Sequence, residues 1–323
     1  MKSGFRWRKF GRIFDPAEYL GRPWMSGFAQ APATLIMDNC VRVYFSCRPP
    51  ADPFGRYVSY SAFVDLDRND LCKVLRVASK PIMPMGELGT FDEFGTYPVS
   101  VVRAENELLA YYGGWTRCES VPFNVAIGVA KSSDAGETFE RLGSGPVLGY
   151  AIDEPFVVSG PKVRRFGDKW YLWYIAGSKW KISQGRPEPV YKIRMAVSSD
   201  GLQWSRIGRN LISDRIDSDE AQASPDVFCS GGRYHMFFCY RHSENYRGKA
   251  GGYRIGYADS QDLVNWSRDD SKAAIDVSAD GWDSEMVAYP HVFAVDDRVF
   301  LLYNGNGVGR DGFGLAELEG TLA

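Results

Sequence analysis

Four glutamates stand at similar distances before proline residues, and this spacing could assemble paired carboxylates. Glu93, Glu220 and Glu285 each lie five residues before a proline, and Glu154 lies seven residues before another. Asp226 directly follows one of the same prolines. Cleavage of a glycosidic bond needs two carboxyl groups, one protonated as the acid and one ionised as nucleophile or base. Several of these acids, brought from different parts of the chain to one cavity, could provide such a pair, and Glu93 is a candidate for substrate binding.

Lys162 and His291 occupy the position of Asp226 in two other copies, each directly after a proline. Charged side chains on neighbouring buried strands are costly unless they pair with one another or face a polar ligand. A satisfied structural network and a substrate site therefore both stay open. Aromatic rings could stack on sugars, and arginine or asparagine could bind hydroxyls or a phosphate group. The other candidate substrate-binding residues are Tyr97, Trp115, Trp180, Tyr191, Arg194, Arg241, Tyr289 and Asn304.

The prolines belong to a repeat that runs along the whole chain of 323 residues. Each opens a short apolar strand, and successive copies are 63 to 66 residues apart. A second repeat runs in phase with the first, and in it a turn with the pattern Ala-x-Ser-x-Asp precedes an aromatic residue. The copies of the proline are Pro32, Pro98, Pro161, Pro225 and Pro290. Period and content predict an all-β, five-bladed β-propeller with four-stranded blades.

A propeller gathers the beginnings of its innermost strands around one central cavity. The inner strands should begin near residues 32, 98, 161, 225 and 290. Because strand side chains alternate, the residues directly before and after each proline should point into that cavity. The aspartates of the second repeat should instead cap hairpins, so we exclude Asp134, Asp200 and Asp262 from the catalytic candidates.

The last repeat lacks its outer strand, because little chain follows its third strand near 312–318. The segment from Trp7 to Gly11 (WRKFG) resembles the outer-strand strings FERLG and WSRIG of two other repeats. We therefore expect residues 6–14 to complete the last blade and close the ring, which removes two exposed sheet edges. Residues 1–323 should then form one propeller domain without a helix of consequence.

Composition excludes several classes of protein. The formal net charge of −2 does not indicate a basic surface for binding nucleic acid or an anionic membrane. No apolar run in the sequence reaches the ~20 residues of a membrane helix. The basic N-terminus is not followed by an apolar stretch, as a secretory signal requires. Six cysteines without a CxxC pair favour reduced, mostly buried thiols and a cytoplasmic location. A mature form that has lost a leader peptide is the lesser alternative.

These features resemble the five-bladed propeller clan of glycoside hydrolases, which includes invertase-like, arabinanase/xylosidase-like and mannoside-phosphorylase-like families. Clan members usually place an aspartate beside the first-blade proline, whereas AQAPATL has no acid here. An arabinanase-like Glu-Gly-Pro is replaced by Ser159-Gly160 before Pro161. The strings GPKV, DEAQASPDV, YRIGYA and YNGNGVG are similar to a bacterial glycosidase-like group associated with surface-saccharide pathways. The resemblance implies saccharide handling more firmly than bond cleavage.

The resemblance implies a saccharide or sugar-phosphate ligand, with no nucleic acid and no membrane as partner. It favours a glycoside hydrolase-like enzyme without deciding the question. If the group is catalytic, the resemblance makes Glu154, Glu220, Asp226 and Glu285 the candidate catalytic residues. One alternative is a phosphorylase or glycosyl transferase acting on a phosphorylated or activated sugar, and another is a non-catalytic saccharide-binding propeller. We expect no cofactor and no metal ligand; a calcium ion beside His291, as in some clan members, is the weaker alternative.

Overall fold

The computed structural model describes residues 4–105 and 107–322. Twenty strands in this part of the chain form five four-stranded antiparallel sheets, so the predicted five-bladed, all-β propeller is confirmed. Blades 1 to 4 are β2–β5, β6–β9, β10–β13 and β14–β17, and blade 5 has the order β18-β19-β20-β1. The strands are β1 (Phe5–Phe14), β2 (Gly27–Ile36), β3 (Cys40–Arg48), β4 (Tyr60–Asp67), β5 (Val74–Val77), β6 (Thr96–Ala104), β7 (Glu107–Thr116), β8 (Asn124–Ser132), β9 (Glu140–Arg141), β10 (Phe156–Phe166), β11 (Lys169–Ser183), β12 (Arg186–Ser198), β13 (Ser205–Arg206), β14 (Ala221–Ser230), β15 (Arg233–Arg241), β16 (Arg254–Ser260), β17 (Ser267–Arg268), β18 (Ala288–Val295), β19 (Arg298–Asn304) and β20 (Phe313–Gly320).

The second strand of each blade is buried on both faces because neighbouring blades cover its sheet on either side. In β3 every residue from Cys40 to Cys47 is buried, and β15 is buried continuously from His235 to Cys239. These strands are rich in aromatic and β-branched side chains, which pack well on a pleated surface. These strands are therefore continuous apolar runs. They do not show the alternation of apolar and polar residues that is typical of a sheet with one face in solvent.

The N-terminal strand closes the ring, as predicted for residues 6–14. β1 pairs antiparallel with β20, from Phe5 opposite Gly320 to Phe14 opposite Phe313. Trp7 packs edge-on against Phe237 of blade 4, with ring centroids 5.5 Å apart. The first strand in the chain is thus the outermost strand of the last blade.

Each inner strand has a β-bulge at its proline, where the pairing register with the second strand shifts. A bulge re-aims the side chains next to it and is common beside functional sites. Three non-glycine residues directly before a blade proline, Ala31, Ser224 and Tyr289, have φ near +50°. The Tyr97–Pro98 bond is cis. The unusual backbone is therefore concentrated where the inner strands begin.

Helical structure in residues 4–105 and 107–322 is limited to three short 3-10 turns and one four-residue segment. The turns are Pro16–Glu18, Pro23–Met25 and Asp270–Lys272, and the segment is Asn306–Gly309. No helix within these ranges has the length and apolar character needed to cross a membrane.

Two smaller predictions have opposite outcomes. Asp134 caps its hairpin by accepting hydrogen bonds from the amides of Glu137 and Thr138, at 3.0 and 2.9 Å, as expected of a structural turn. The expectation that most cysteines are buried is wrong for half of them: Cys40, Cys47 and Cys239 are buried, whereas Cys72, Cys118 and Cys229 are exposed.

Candidate functional site

Lys162, Asp226 and His291 meet at the propeller axis, although they come from blades 3, 4 and 5. Lys162 Nζ lies 3.3 Å from His291 Nδ1, and the same Nδ1 lies 3.4 Å from Asp226 Oδ2. At most 4% of each residue is exposed. The bulges at Pro161, Pro225 and Pro290 thus turn the next side chain of each inner strand toward one point.

The contacts of His291 define its tautomer. The backbone N–H of Thr34 donates to His291 Nε2 at 2.9 Å, so Nε2 accepts and the proton of the neutral ring lies on Nδ1. Burial lowers the pKa of His291 to about 4, although Asp226 acts in the opposite direction. At neutral pH the ring is therefore uncharged, with its N–H directed at Asp226 and Lys162.

Asp226 is the ionised acid of this cluster. Burial alone would raise its pKa, but Arg164, His291 and Lys162 together hold the pKa below its ordinary value. Arg164 Nη2 donates to one carboxylate oxygen at 2.9 Å, and the Val292 amide donates to the other at 2.6 Å. Asp226 thereby joins the inner strands of blades 3, 4 and 5.

A row of tyrosines forms a second layer beside this cluster, and two of its members, Tyr97 and Tyr289, directly precede blade prolines. The rings of Tyr97 and Tyr289 are 6.4 Å apart, and those of Tyr289 and Tyr253 are 5.7 Å apart. Tyr97 and Tyr289 are half-buried. The hydroxyl groups of Tyr253 and Tyr191 are hydrogen-bonded to each other. Sequence reasoning missed Tyr253, although it opens YRIGYA just as Tyr191 opens YKIRMA.

Arg241 anchors this tyrosine row from blade 4. Its Nε donates to Tyr253 Oη at 3.1 Å and its Nη2 donates to Tyr191 Oη at 3.2 Å. The guanidinium carbon lies 3.6 Å from the ring centroid of Tyr246, a cation–π contact that the sequence did not suggest. Arg241 is 1% exposed, and its remaining hydrogen bonds go to the carbonyl groups of residues 189 and 242.

Glu154 and Glu220 lie inside their blades in buried ion pairs with the outermost strand. Glu154 contacts Arg206 at 2.8 Å and accepts a hydrogen bond from Tyr174 at 2.7 Å. Glu220 contacts Arg268 at 2.6 Å and also accepts from two backbone amides. These contacts favour a structural role for both glutamates, and their catalytic role stays a prediction.

The same ion pair recurs in two further blades, where the sequence analysis missed it. Asp92 pairs with Arg141 of β9 at 2.6 Å, and Asp283 pairs with Lys9 of β1 at 2.7 Å. We call these four acid–base pairs the blade clasps, because each ties the loop before an inner strand to the outermost strand. Their signal in the sequence was an Arg or Lys in each outer strand, as in FERLG and WSRIG.

Three other predicted residues also have structural contacts. Arg194 pairs with Asp153 at 2.6 Å and with Glu154 at 3.1 Å. Asn304 accepts from the amide of Ala31 at 2.8 Å and donates to the carbonyl groups of residues 29 and 312, so it joins blade 5 to blade 1. Glu93 accepts from an amide of its own turn, that of Gly89, at 3.1 Å. The axial cluster does not include these side chains.

Trp115, Trp180 and Glu285 are half-buried. Trp115 Nε1 donates to Ser59 Oγ at 2.7 Å, and Trp180 packs against Phe123 and Phe156 with ring centroids 5.6 and 5.9 Å apart. Within the described residues, the Glu285 carboxylate has no hydrogen bond or ion pair. In the same ranges, no group of three or more His, Cys, Asp or Glu side chains is arranged to hold a metal ion.

The fold is shared with solved structures over nearly the full chain. A complex of BT0996 with RGII is 17% identical, with a TM-score of 0.74 covering 98% of this chain and 92% of that one. A structure from the work "The GH130 family of mannoside phosphorylases contains glycoside hydrolases that target beta-1,2 mannosidic linkages in Candida mannan" is 16% identical, with a TM-score of 0.69 covering 98% and 94%. A thermostable family-43 glycoside hydrolase is 12% identical, with a TM-score of 0.65 covering 91% and 89%. This is the fold of the clan that the sequence resembles.

The family itself is shown by close relatives. The chain belongs to the family of the uncharacterized protein Rv1502 of Mycobacterium tuberculosis (strain ATCC 25618 / H37Rv), with 38% identity over 314 residues, 97% of this chain and 99% of that protein. The uncharacterized protein MT1551 of Mycobacterium tuberculosis (strain CDC 1551 / Oshkosh) matches with the same identity and coverage. No family model matches the chain.

Proposed function

We propose that this protein is a carbohydrate-active enzyme of the glycoside hydrolase type, which acts on a glycosidic bond at the propeller axis. The observation that carries the proposal is the convergence there of Tyr97, Lys162, Asp226, Tyr289 and His291 from four different blades. Structures with this fold include glycoside hydrolases and mannoside phosphorylases, which supports the same class of substrate.

Two of the four predicted catalytic acids fit this chemistry best. Asp226 is held ionised at the axis, as a nucleophile, base or electrostatic stabiliser must be. Glu285 is half-buried, and its carboxylate contacts no partner among the described residues, so it remains available to donate or accept a proton. Glu154 and Glu220 would have to leave an arginine to do the same.

The aromatic side chains supply a binding surface for the sugar. The faces of sugar rings are apolar, and Tyr97 and Tyr289 each present a half-buried ring beside the axial cluster. Trp115 and Trp180 are half-buried at the ends of β7 and β11, on the side where the inner strands begin. We propose that these four rings line the path of the saccharide.

The test is turnover of a panel of aryl glycosides and oligosaccharides, with products resolved by chromatography. We expect Glu285→Gln to lower the rate by about 100-fold or more, because it removes the carboxyl group that the proposal assigns to proton transfer, and to retain substrate binding. Glu93→Gln is the matched control, since Glu93 also stands five residues before a blade proline but bonds to its own turn. No product from any saccharide, with or without phosphate, would contradict an enzyme.

A non-catalytic saccharide-binding protein is the second candidate, favoured by one observation. Both oxygens of Asp226 already accept hydrogen bonds, from Arg164 and from the amide of Val292. In that case saccharides would bind without turnover, and Glu285→Gln would leave the affinity unchanged. The cytoplasmic location predicted from the sequence stays a prediction.

A further inference from the structure

The hairpin formed by β11 and β12 projects from the face of the propeller where the inner strands begin. Its pairing continues to Ser183 opposite Arg186, whereas the neighbouring inner strand begins at Phe156, opposite Gly177. About six residues of β11 therefore extend beyond the start of the inner strand, or roughly 20 Å at the ordinary rise of a strand. A two-residue turn whose φ angles are both positive closes the tip, as a tight hairpin requires.

A cleft of about 510 Å³ lies between the tip of this hairpin and the loop that joins β15 to β16. Ser183, Gln184 and Arg186 line it on one side, and residues 245–248 line it on the other. We call it the rim cleft. Its volume falls within the range of sites that bind small molecules. Because the hairpin belongs to blade 3 and the loop to blade 4, the rim cleft lies across a boundary between blades.

Contacts across this boundary hold the two walls of the rim cleft together. The side-chain amides of Gln184 and Asn245 are hydrogen-bonded to each other. Glu188 of the hairpin is 5% exposed, accepts a hydrogen bond from Tyr246 Oη at 2.7 Å and forms an ion pair with Arg247. Both carboxylate oxygens of Glu188 are therefore used within the protein, and they fix the positions of two residues that line the rim cleft.

The polar groups of the rim cleft that remain free are mainly hydrogen-bond donors. Among the described residues, the guanidinium group of Arg186 has neither a hydrogen bond nor an ion pair. Arg247 uses only Nη1 for Glu188, so its Nε and Nη2 remain available. Phosphate and carboxylate groups present acceptor oxygens to such donors, whereas the hydroxyl groups of a neutral sugar donate as well as accept.

The charge of the two segments that form the rim cleft is positive. Residues 178–189 and 242–252 contain five lysine or arginine side chains and two glutamates, in a chain whose formal net charge is −2. The nearby acids Asp219 and Glu244 both pair with lysines of the hairpin and not with Arg186. None of the described residues that line the rim cleft is acidic. A local excess of cations attracts anions to this cleft.

We propose that the rim cleft binds an anionic group, either phosphate or carboxylate, of a small ligand, with Arg186 and Arg247 as its main contacts. Planar guanidinium groups can bind either anion through two parallel hydrogen bonds. The residues that line the rim cleft do not include the axial cluster, so the inference goes beyond the proposed function and does not depend on it. The ring of Tyr246 lies 6.3 Å from that of Tyr253, which places this second site next to the tyrosine row.

The first experiment measures binding of the anions themselves. Calorimetry at low salt would compare inorganic phosphate and acetate with glycerol as the neutral control. We expect at least one of the two anions to bind saturably and about tenfold or more tightly than glycerol, which corresponds to one charge-assisted hydrogen bond. Added sodium chloride should weaken this binding. The tighter of the two anions identifies the group that the cleft prefers.

Variants test whether the rim cleft is responsible. Arg186→Gln breaks no described contact, so it should leave the stability unchanged and weaken anion binding by about tenfold. Arg186→Lys keeps the charge but loses the planar fork of donors, so its affinity should be intermediate. Arg165→Gln is the matched control, because Arg165 is also exposed and without an ion pair among the described residues but lies at the far end of β10. It should bind the anion as the native protein does.

Three outcomes would overturn the inference. They are no saturable binding of either anion, equal effects of Arg186→Gln and Arg165→Gln, or anion binding that is lost in Lys162→Gln but kept in Arg186→Gln, which would move the anion to the axial cluster. Absence of product from every saccharide would contradict the proposed function and leave this inference intact. Turnover of saccharides by a protein that binds neither anion would do the reverse.

Discussion

The backbone amide of Thr34 and the ring of His291 fix the protons of the axial cluster. Because the amide donates to Nε2 at 2.9 Å, the ring proton lies on Nδ1, which is 3.3 Å from Lys162 Nζ. An ammonium group at Lys162 would place its N–H bonds against the N–H of His291. The contact therefore disfavours the charged form of Lys162, in agreement with the lowered pKa of about 8, although at neutral pH most of the lysine is still protonated.

Lys162 should make the protein more stable as the pH rises from 8 to 10. Burial lowers its pKa from 10.5 to about 8, partly opposed by Asp226 and Cys239 and reinforced by Arg164. Between these values the unfolded chain binds the extra proton, so the free energy of unfolding rises with pH, by up to about 3 kcal/mol. Above pH 10 the buried tyrosines act in the opposite direction, because folding raises their pKa.

Urea unfolding of the native protein and of Lys162→Met between pH 7.5 and 10 checks this. The variant should lack the rise and should be at least as stable as the native protein at pH 7.5, because it no longer buries an ammonium group, while Asp226 keeps Arg164 as its charge partner. The exposed Lys169→Met is the control and should keep the rise. Parallel curves for all three proteins would contradict the role of Lys162.

His291 should make the protein lose stability as the pH falls from 6.5 to 4. Its folded pKa is about 4, so in this window the unfolded chain takes up a proton that the folded chain does not bind. The free energy of unfolding should fall by up to about 3 kcal/mol, before Asp226 contributes at lower pH. Protonation of Nε2 would also remove the acceptor of the Thr34 amide.

His291→Gln should reduce this loss, since a glutamine oxygen can accept from Thr34 without titrating. His235, whose pKa burial also lowers, contributes equally to both proteins, so the difference between the two curves isolates His291. The exposed His242→Gln should match the native protein. If His291→Gln lost as much stability between pH 6.5 and 4 as the native protein, this assignment would be wrong.

The fold could be predicted from the sequence because the blades share the same short motifs at a similar spacing. The period of the prolines located the inner strands, and the resemblance of residues 7–11 to two outer strands located the closing strand. It also predicted which side chains follow each bulge, so Lys162, Asp226 and His291 could be expected near one another. A propeller brings equivalent positions together whatever the identity of the residues between them.

The partners of individual acids could not be predicted in the same way. Glu154, Glu220 and Glu285 look alike in the sequence, yet two of them meet an arginine about 50 residues further along the chain, with sequence separations of 52 and 48, and the third does not. The path of each loop determines which acid forms an ion pair. A shift of the loop by one residue moves a side chain from the interior of the blade to its surface. Spacing to the proline alone does not contain that information.

Asn304 should be essential to the closed ring. Its side chain makes three hydrogen bonds, each 2.8 Å long: two connect blade 5 to residues 29 and 31 at the beginning of blade 1, and the third goes to the carbonyl group of residue 312 within blade 5. Asn304→Ala leaves buried backbone groups without partners, so we expect a loss of about 2–3 kcal/mol in the free energy of unfolding. Urea unfolding measures it, with the exposed Asn69→Ala as control. A loss below ~0.5 kcal/mol, the range of an ordinary surface substitution, would contradict this role.

The blade clasps should separate structural acids from the candidate catalytic one. Glu154→Gln leaves Arg206 without a carboxylate partner, so it should lower the free energy of unfolding by about 3 kcal/mol. Glu220→Gln should lower it by only about 1–2 kcal/mol, because Arg268 keeps Asp270 as a second carboxylate partner at 2.9 Å. Glu285→Gln breaks no described contact and should change stability by less than ~0.5 kcal/mol, while it removes turnover. Denaturant unfolding and the glycosidase assay on the same three preparations check this. A catalytic acid must be accessible to the substrate, whereas an acid in a buried ion pair is not. An unstable Glu285→Gln protein would therefore assign Glu285 a structural role. A stable but inactive Glu154→Gln protein would assign Glu154 a catalytic role.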